Sequence, residues 1–303
     1  IKLDGNYPVG TGNVALGDTA LDSGSLSGSS NTALGSGALT ANTTGSNTAV
    51  GRNALFNNTT GSTNTGIGQQ ALTTNTTGSS NTALGRDSLL SNTTASNNTA
   101  VGYQAGLNNT TGANSTYLGF QTAYSNTTGL NNTGLGLQAL YSNTTGGNIT
   151  AVGGNALENN TTGSNNVALG RQALKSNTTA SNNTAVGYQA AYSNTSDNIS
   201  AFGWKALYGN TSGEYNIALG NQALLSNTTG TKNTASGYQA LVSNTTASNN
   251  TAVGYQASYA SSTGASNTAV GWRALTSNTA SNNTAVGYQA GYDNTTGTNL
   301  VLM

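Results

Sequence analysis

An all-β parallel β-solenoid, a β-roll of about 17 coils built on a 17-residue repeat, is the fold this 303-residue sequence predicts. Three observations predict it. The stretch TASNNTAVGYQA occurs four times, starting at Thr94, Thr179, Thr246 and Thr279, and the separations of 85, 67 and 33 residues lie on or within one residue of multiples of 17. A glycine recurs from Gly17 to Gly287 in 17 units, and 12 of the 16 intervals between them are 17 residues, three are 16 and one is 18. No window carries an apolar period of 3.6 residues long enough for a helix. Unbroken periodicity of this kind is the signature of a solenoid, in which each repeat buries its apolar face only by stacking on its neighbours.

The elements follow in order along one repeat. Three residues before the recurring Gly stands mostly Thr, a β-branched residue that favours strands. The residue just before the Gly is Val, Leu, Ile or Phe in every unit but that of Ser236. NTAV therefore reads as a short strand and the Gly as a corner. Ala nearly always stands three residues after the Gly and Leu usually follows it, so QAL reads as a second short strand. Asn then occupies the seventh position after the Gly in 15 units, and Thr and Gly close a turn of the type NTTG. Stacked coils lie about 4.8 Å apart, so 17 of them predict a rod on the order of 80 Å. Residues 1–12 form a lead-in and 13–303 a single repetitive shaft whose last coil is incomplete, with Met303 where a Gly should stand.

The Asn column, Asn58, Asn75, Asn92, Asn109, Asn126, Asn143, Asn160, Asn177, Asn194, Asn210, Asn227 and Asn244, predicts a structural ladder. Asn tolerates left-handed backbone, and stacked amides bond from coil to coil. Asn-Thr-Thr is also a glycosylation acceptor, a second reading of the same column.

Adjacent strand residues point to opposite faces. Ala100 and Val101, or Ala185 and Val186, would place a large residue in the coil and a small one outside. The same alternation is expected of Ala139 and Leu140. Small outer faces allow another chain to approach closely, and a strand apolar on both faces is usually covered on both. A cyclic homo-oligomer, a trimer, is the expectation. An uncapped stack would also associate end to end into a filament.

Composition excludes much chemistry. Charged residues are 5% of the chain and the formal net charge is zero, so neither nucleic acid nor an anionic membrane is an expected partner. There is no Cys and no His, which removes disulfides, thiolate metal sites and imidazole bases. No apolar run reaches the 18 residues of a membrane span. Among the eight acids, Asp4, Asp18, Asp22, Asp87, Glu158, Asp197, Glu214 and Asp293, no pair recurs with the repeat. GTGNVALG near Gly10 lacks the Lys-Ser/Thr ending of a phosphate loop. No catalytic residue, metal site or cofactor is expected, and the chain is not read as an enzyme.

The position after the Gly is the candidate contact row. It holds Tyr103, Phe120, Tyr188, Trp204, Tyr238, Tyr255, Trp272 and Tyr288, but also Arg52, Arg86 and Arg171. Such a stripe packs at a corner or forms a ladder against neighbouring chains, or stacks on sugar rings of a host-surface glycan.

NNTAVG followed by QAL and SNTTGS resembles the repeats of bacteriophage tail fibres and related surface fibres, many of which end in an endosialidase-type chaperone. NNTAVG is also similar to the short motif of trimeric autotransporter adhesin heads. The resemblance covers roughly residues 13–303. It implies a trimeric shaft, an extracellular place on a virion or cell surface, and a part in host attachment. The adhesin repeat is shorter than 17 residues, and in the fibres this chain resembles a capping region and a chaperone would be expected to follow the repeats. The leading expectation is a structural fibre, the second an adhesin binding glycans along its aromatic stripe. A third is binding of ice or a mineral through Thr rows, but the Thr three before the Gly shares a face with the supposed core Val and is expected to point inward.

Overall fold

The computed structural model describes residues 11–25 and 27–303; most of the predicted lead-in therefore lies outside the described residues. The chain is all-β, a parallel β-solenoid of about 17 coils with a 17-residue repeat. It divides into two compact units, Ile1–Ile149 and Thr150–Met303. Among the described residues, the first unit carries eight strands, from β1 (Val14–Leu16) to β8 (Thr133–Leu135). The second carries ten, from β9 (Thr150–Val152) to β18 (Val301–Leu302). Within each unit every strand pairs in parallel with the strand of the next coil, equivalent residue against equivalent residue. Thr82, Ala83 and Leu84, for example, face Thr99, Ala100 and Val101.

Each complete coil has one strand of three residues, not two strands. The QAL segment is a run of turns. Its Gln and Leu sit in left-handed backbone, with φ of 55° at Gln104, 51° at Gln138 and 57° at Leu140. Left-handed residues reverse the strand alternation, so Ala139 and Leu140 both point inward and both are fully buried. An L-residue pays about 1–2 kcal/mol for this conformation, and burying a Leu side chain returns about 1.5–3 kcal/mol.

The strand itself is oriented opposite to expectation. In T-A-V the Ala is fully buried, while Thr and Val lie on the outer surface. The Leu of the opposite side already spans the thin interior. Strand β4 (Thr65–Ile67) shows how little room is left, since a Cβ on Gly66 would come within 3.3 Å of Leu55 Cγ. The outward Ala surface inferred for a trimer does not exist, and the Thr expected inside is outside. At the end of the chain Val301 and Leu302 pair with Thr284 and Ala285, which puts Met303 in register with Val286, not with a Gly.

One coil departs from this rule. Tyr117 stands where other coils have Ala and is completely buried. Its neighbours make the space: Gly106 replaces a core Leu, and Gly134 lies opposite Tyr117 in the next strand. A Cβ on Gly106 would meet the Tyr117 ring at 2.8 Å. Burial pushes the phenol up to about 12 from 10.0; Ser115 and Asn132 pull the other way, yet neither reaches good hydrogen-bond geometry with the hydroxyl. A folded-state pKa above the unfolded one stabilises the fold fully below pH 10 and less as pH rises toward 12. The unfolding free energy from urea denaturation should therefore fall between those pH values, by about 1.4 kcal/mol per pH unit. Tyr117→Phe should remove that slope, and an unchanged slope would refute the assignment.

Candidate functional site

Coil-to-coil hydrogen bonding organises the buried amide rows. All twelve Asn of the predicted column are fully buried. Asn75 Nδ2 donates to Asn58 Oδ1 at 2.7 Å, Asn92 to Asn75 at 2.8 Å and Asn109 to Asn92 at 2.9 Å. Each amide also donates within its own turn, as Asn75 does to the Gly78 carbonyl at 2.9 Å. An Asn buried and engaged in this way offers no accessible amide to a glycan in the folded chain. The ladder breaks where the repeat does. In the 16-residue coil between Gly187 and Gly203, Asn194 turns to the Ser196 carbonyl, and Asn177 Oδ1 is left without a partner. At Ser261 the column loses its amide, so Asn244 Oδ1 and Ser261 Oγ are both unpartnered. Ser261→Asn should restore the rung and raise stability by about 1 kcal/mol, measured by urea denaturation.

Sequence reasoning missed two further ladders. The Asn four residues before the Gly occurs in 14 units, which was signal enough to find it. Assigned to a strand, it was given no separate role. Asn64 shows what it does: Nδ2 donates to the Gly78 carbonyl at 2.8 Å, and Oδ1 accepts from the Asn81 backbone N–H at 2.9 Å. It sews each strand entrance to the next coil. The Gln of QAL forms a half-buried row at the corner: Gln121 donates to Gln104 at 2.9 Å and Gln256 to Gln239 at 2.9 Å, and Arg273 Nε continues it to Gln256 at 2.8 Å.

The aromatic row lies outside, beside the Gly corner. Tyr103, Tyr188, Trp204, Tyr238, Tyr255, Trp272 and Tyr288 are all exposed. Tyr238, Tyr255, Trp272 and Tyr288 form one stack, with centroids 5.3, 6.0 and 4.9 Å apart and planes within 13°. Tyr103 stacks on Phe120 at 5.5 Å. Cations cover further ring faces: Lys205 Nζ lies 4.7 Å from the Trp204 centroid and the Arg273 guanidinium 4.7 Å from that of Trp272. A sugar stacks on a ring face, and in these stacks the faces are turned to one another. A second aromatic row, five residues after the Gly, was not anticipated; Tyr124 stacks on Tyr141 and Tyr192 on Tyr208, each at 5.2 Å.

The outer face of the strands carries two more rows. The residue before the Gly is aliphatic and part-exposed, as at Leu118, Leu135, Leu219 and Val253. The Thr row runs parallel to it on the far edge of the strand. Among the described residues no group of three or more His, Cys, Asp or Glu could hold a metal ion, and no helix is long and apolar enough to cross a membrane. Of the acids, Glu158 pairs with Lys175 at 3.2 Å, Asp87 with Arg86 at 3.3 Å, and Asp197 accepts from the Ser181 backbone at 2.6 Å. Comparison with protein-family models gives no match, and no curated protein matches the chain.

Proposed function

We propose that this chain is a non-catalytic fibre segment: an extracellular shaft, on a virion or cell surface, that holds an attachment tip away from the body it serves. The observation that supports the reading is the identity of the bonds from coil to coil. Each coil spends its polar groups on the next coil through the buried amide ladders, an arrangement that gives length and stiffness without a distinctive site.

Copies of the chain associate side by side in this reading, three to a fibre. The contact is the stripe at the Gly corner, which replaces the Ala face first expected. In the second unit ten large apolar side chains of the rows before and after the Gly are 37 to 73% exposed, Phe202, Leu219, Tyr255 and Trp272 among them. They offer on the order of 800 Å², about the area each partner contributes to an ordinary stable interface. Monomeric proteins rarely leave so large a continuous apolar patch bare.

The test is the mass of the particle by light scattering, with negative-stain images of the same sample. A mass three times that of the 30.2 kDa chain, in elongated particles, is expected. A double change at the stripe, Leu219→Lys with Tyr255→Lys, should return the mass to that of one chain while the circular dichroism stays unchanged. A wild-type chain that is monomeric at all concentrations would overturn the association.

A further inference from the structure

The Thr row on the strands' outer edge differs from the amide rows and from the first Thr of the turns: among the described residues its hydroxyls are spent on nothing. In the first unit Thr48, Thr65, Thr82, Thr99, Thr116 and Thr133 follow one another in six consecutive coils, each paired in register with the next. All six are part-exposed or exposed. None of their side chains hydrogen-bonds to another described residue. The contrast lies a few residues away. In the NTT turns, Thr59 Oγ1 donates to the Thr76 carbonyl at 2.9 Å, Thr76 to Thr93 at 3.0 Å and Thr110 to Thr127 at 3.0 Å. The fold uses Thr hydroxyls as coil-to-coil links in one row and leaves another free.

Register gives the free row its meaning. Parallel in-register strands repeat about every 4.8 Å, so the hydroxyls form a straight line of identical donor-acceptors. Val50, Ile67, Leu84, Val101, Leu118 and Leu135 run beside them on the same face. Buried Ala and Gly behind the strand keep the backbone level, except at Tyr117. Neither row contains a charge over this stretch. Each hydroxyl can hold one water, and the aliphatic row confines those waters to the line. One such bond is weak, at about 1 kcal/mol. Useful affinity needs many bonds made at once, to a ligand that is itself periodic, neutral and made of hydroxyl-like groups. A solvated protein or a flexible polymer loses much of that gain to ordering. A crystal of water is already ordered.

We infer that the outward Thr row of the first unit binds the surface of ice crystals. This goes beyond the fibre reading and does not rest on it, since the Thr row argued here belongs to the first unit and the association stripe to the second.

The probe is ice itself, with the full chain in solution. Thermal hysteresis, inhibition of recrystallisation and uptake of the protein into a slowly grown ice hemisphere are the three readouts. Wild type should hold a measurable gap between melting and freezing and should enter the ice. Thr82→Tyr, Thr99→Tyr and Thr116→Tyr combined should abolish both, with unchanged circular dichroism. Thr99→Val with Thr116→Val, which keeps side-chain shape, should weaken binding if the larger changes disturb the fold. Leu219→Lys with Tyr255→Lys should leave ice binding intact, which separates this inference from the association reading. No hysteresis and exclusion of the folded wild type from ice would overturn the inference. So would full activity in the triple Tyr variant.

Discussion

Gly153→Ala should destabilise the second unit by about 3–5 kcal/mol, whereas Gly154→Ala, one residue further on, should leave stability unchanged. Gly153 is a corner glycine with φ of 128°, a region that L-residues rarely enter. A Cβ placed there would lie 2.6 Å from the Gly170 carbonyl carbon, 2.7 Å from its oxygen and 2.9 Å from the Arg171 nitrogen. These are backbone atoms of the next coil and cannot swing aside. The coil would have to move, which would strain the strand pairing of Thr150, Ala151 and Val152 with Val167, Ala168 and Leu169. Gly154 has open space around its Cβ position and no positive φ. Urea denaturation of the two variants checks the contrast. Equal stability would mean that the corner is softer than its geometry implies.

Asn75→Ala is the second large effect, with an expected loss of about 2–4 kcal/mol. Three bonds go at once: to Asn58 Oδ1, to the Gly78 carbonyl, and from Asn92. Asn58 Oδ1 is then buried without a partner, the costly outcome for a polar group removed from water. The Gly78 carbonyl keeps its bond from Asn64, and Asn92 keeps its bond to the Ala95 carbonyl, which bounds the loss from above. Thr77→Ala, in the same turn but with an exposed side chain, is the control and should change little. Hydrogen exchange of the surrounding amides should show protection lost over the flanking coils first, because each coil leans only on its neighbours.

The repeat, its length and its strand position were legible because each is a matter of spacing, and spacing survives without coordinates. Which way the strand faces was not. The alternation of Ala and Val says that they oppose each other, and hydrophobicity alone favours Val inside. What decides it is the Leu four residues after the Gly, whose inward direction comes from left-handed backbone at Gln and Leu, residue types that give no warning of it. Once Leu140 fills the interior, only Ala or Gly fits across from it. The same blind spot turned QAL into a strand and pointed the Thr row inward. The aromatic row was legible as a column that packs at a corner or meets a partner, but the direction of its ring planes depends on stacking at coil spacing, which only coordinates supply.

The sameness of neighbouring coils also bears on heredity. A coil that bonds alike to the one above and the one below can be copied or dropped whole, and the two new neighbours still fit. Near-identical stretches of gene, such as those encoding TASNNTAVGYQA, are natural points for misaligned recombination. Each such event lengthens or shortens the stack by a whole number of steps of about 4.8 Å. Slips of a single residue are another matter. The 16-residue coil that strands Asn177 Oδ1 shows what one can cost. Reach can change by whole steps, while the cross-section is held fixed.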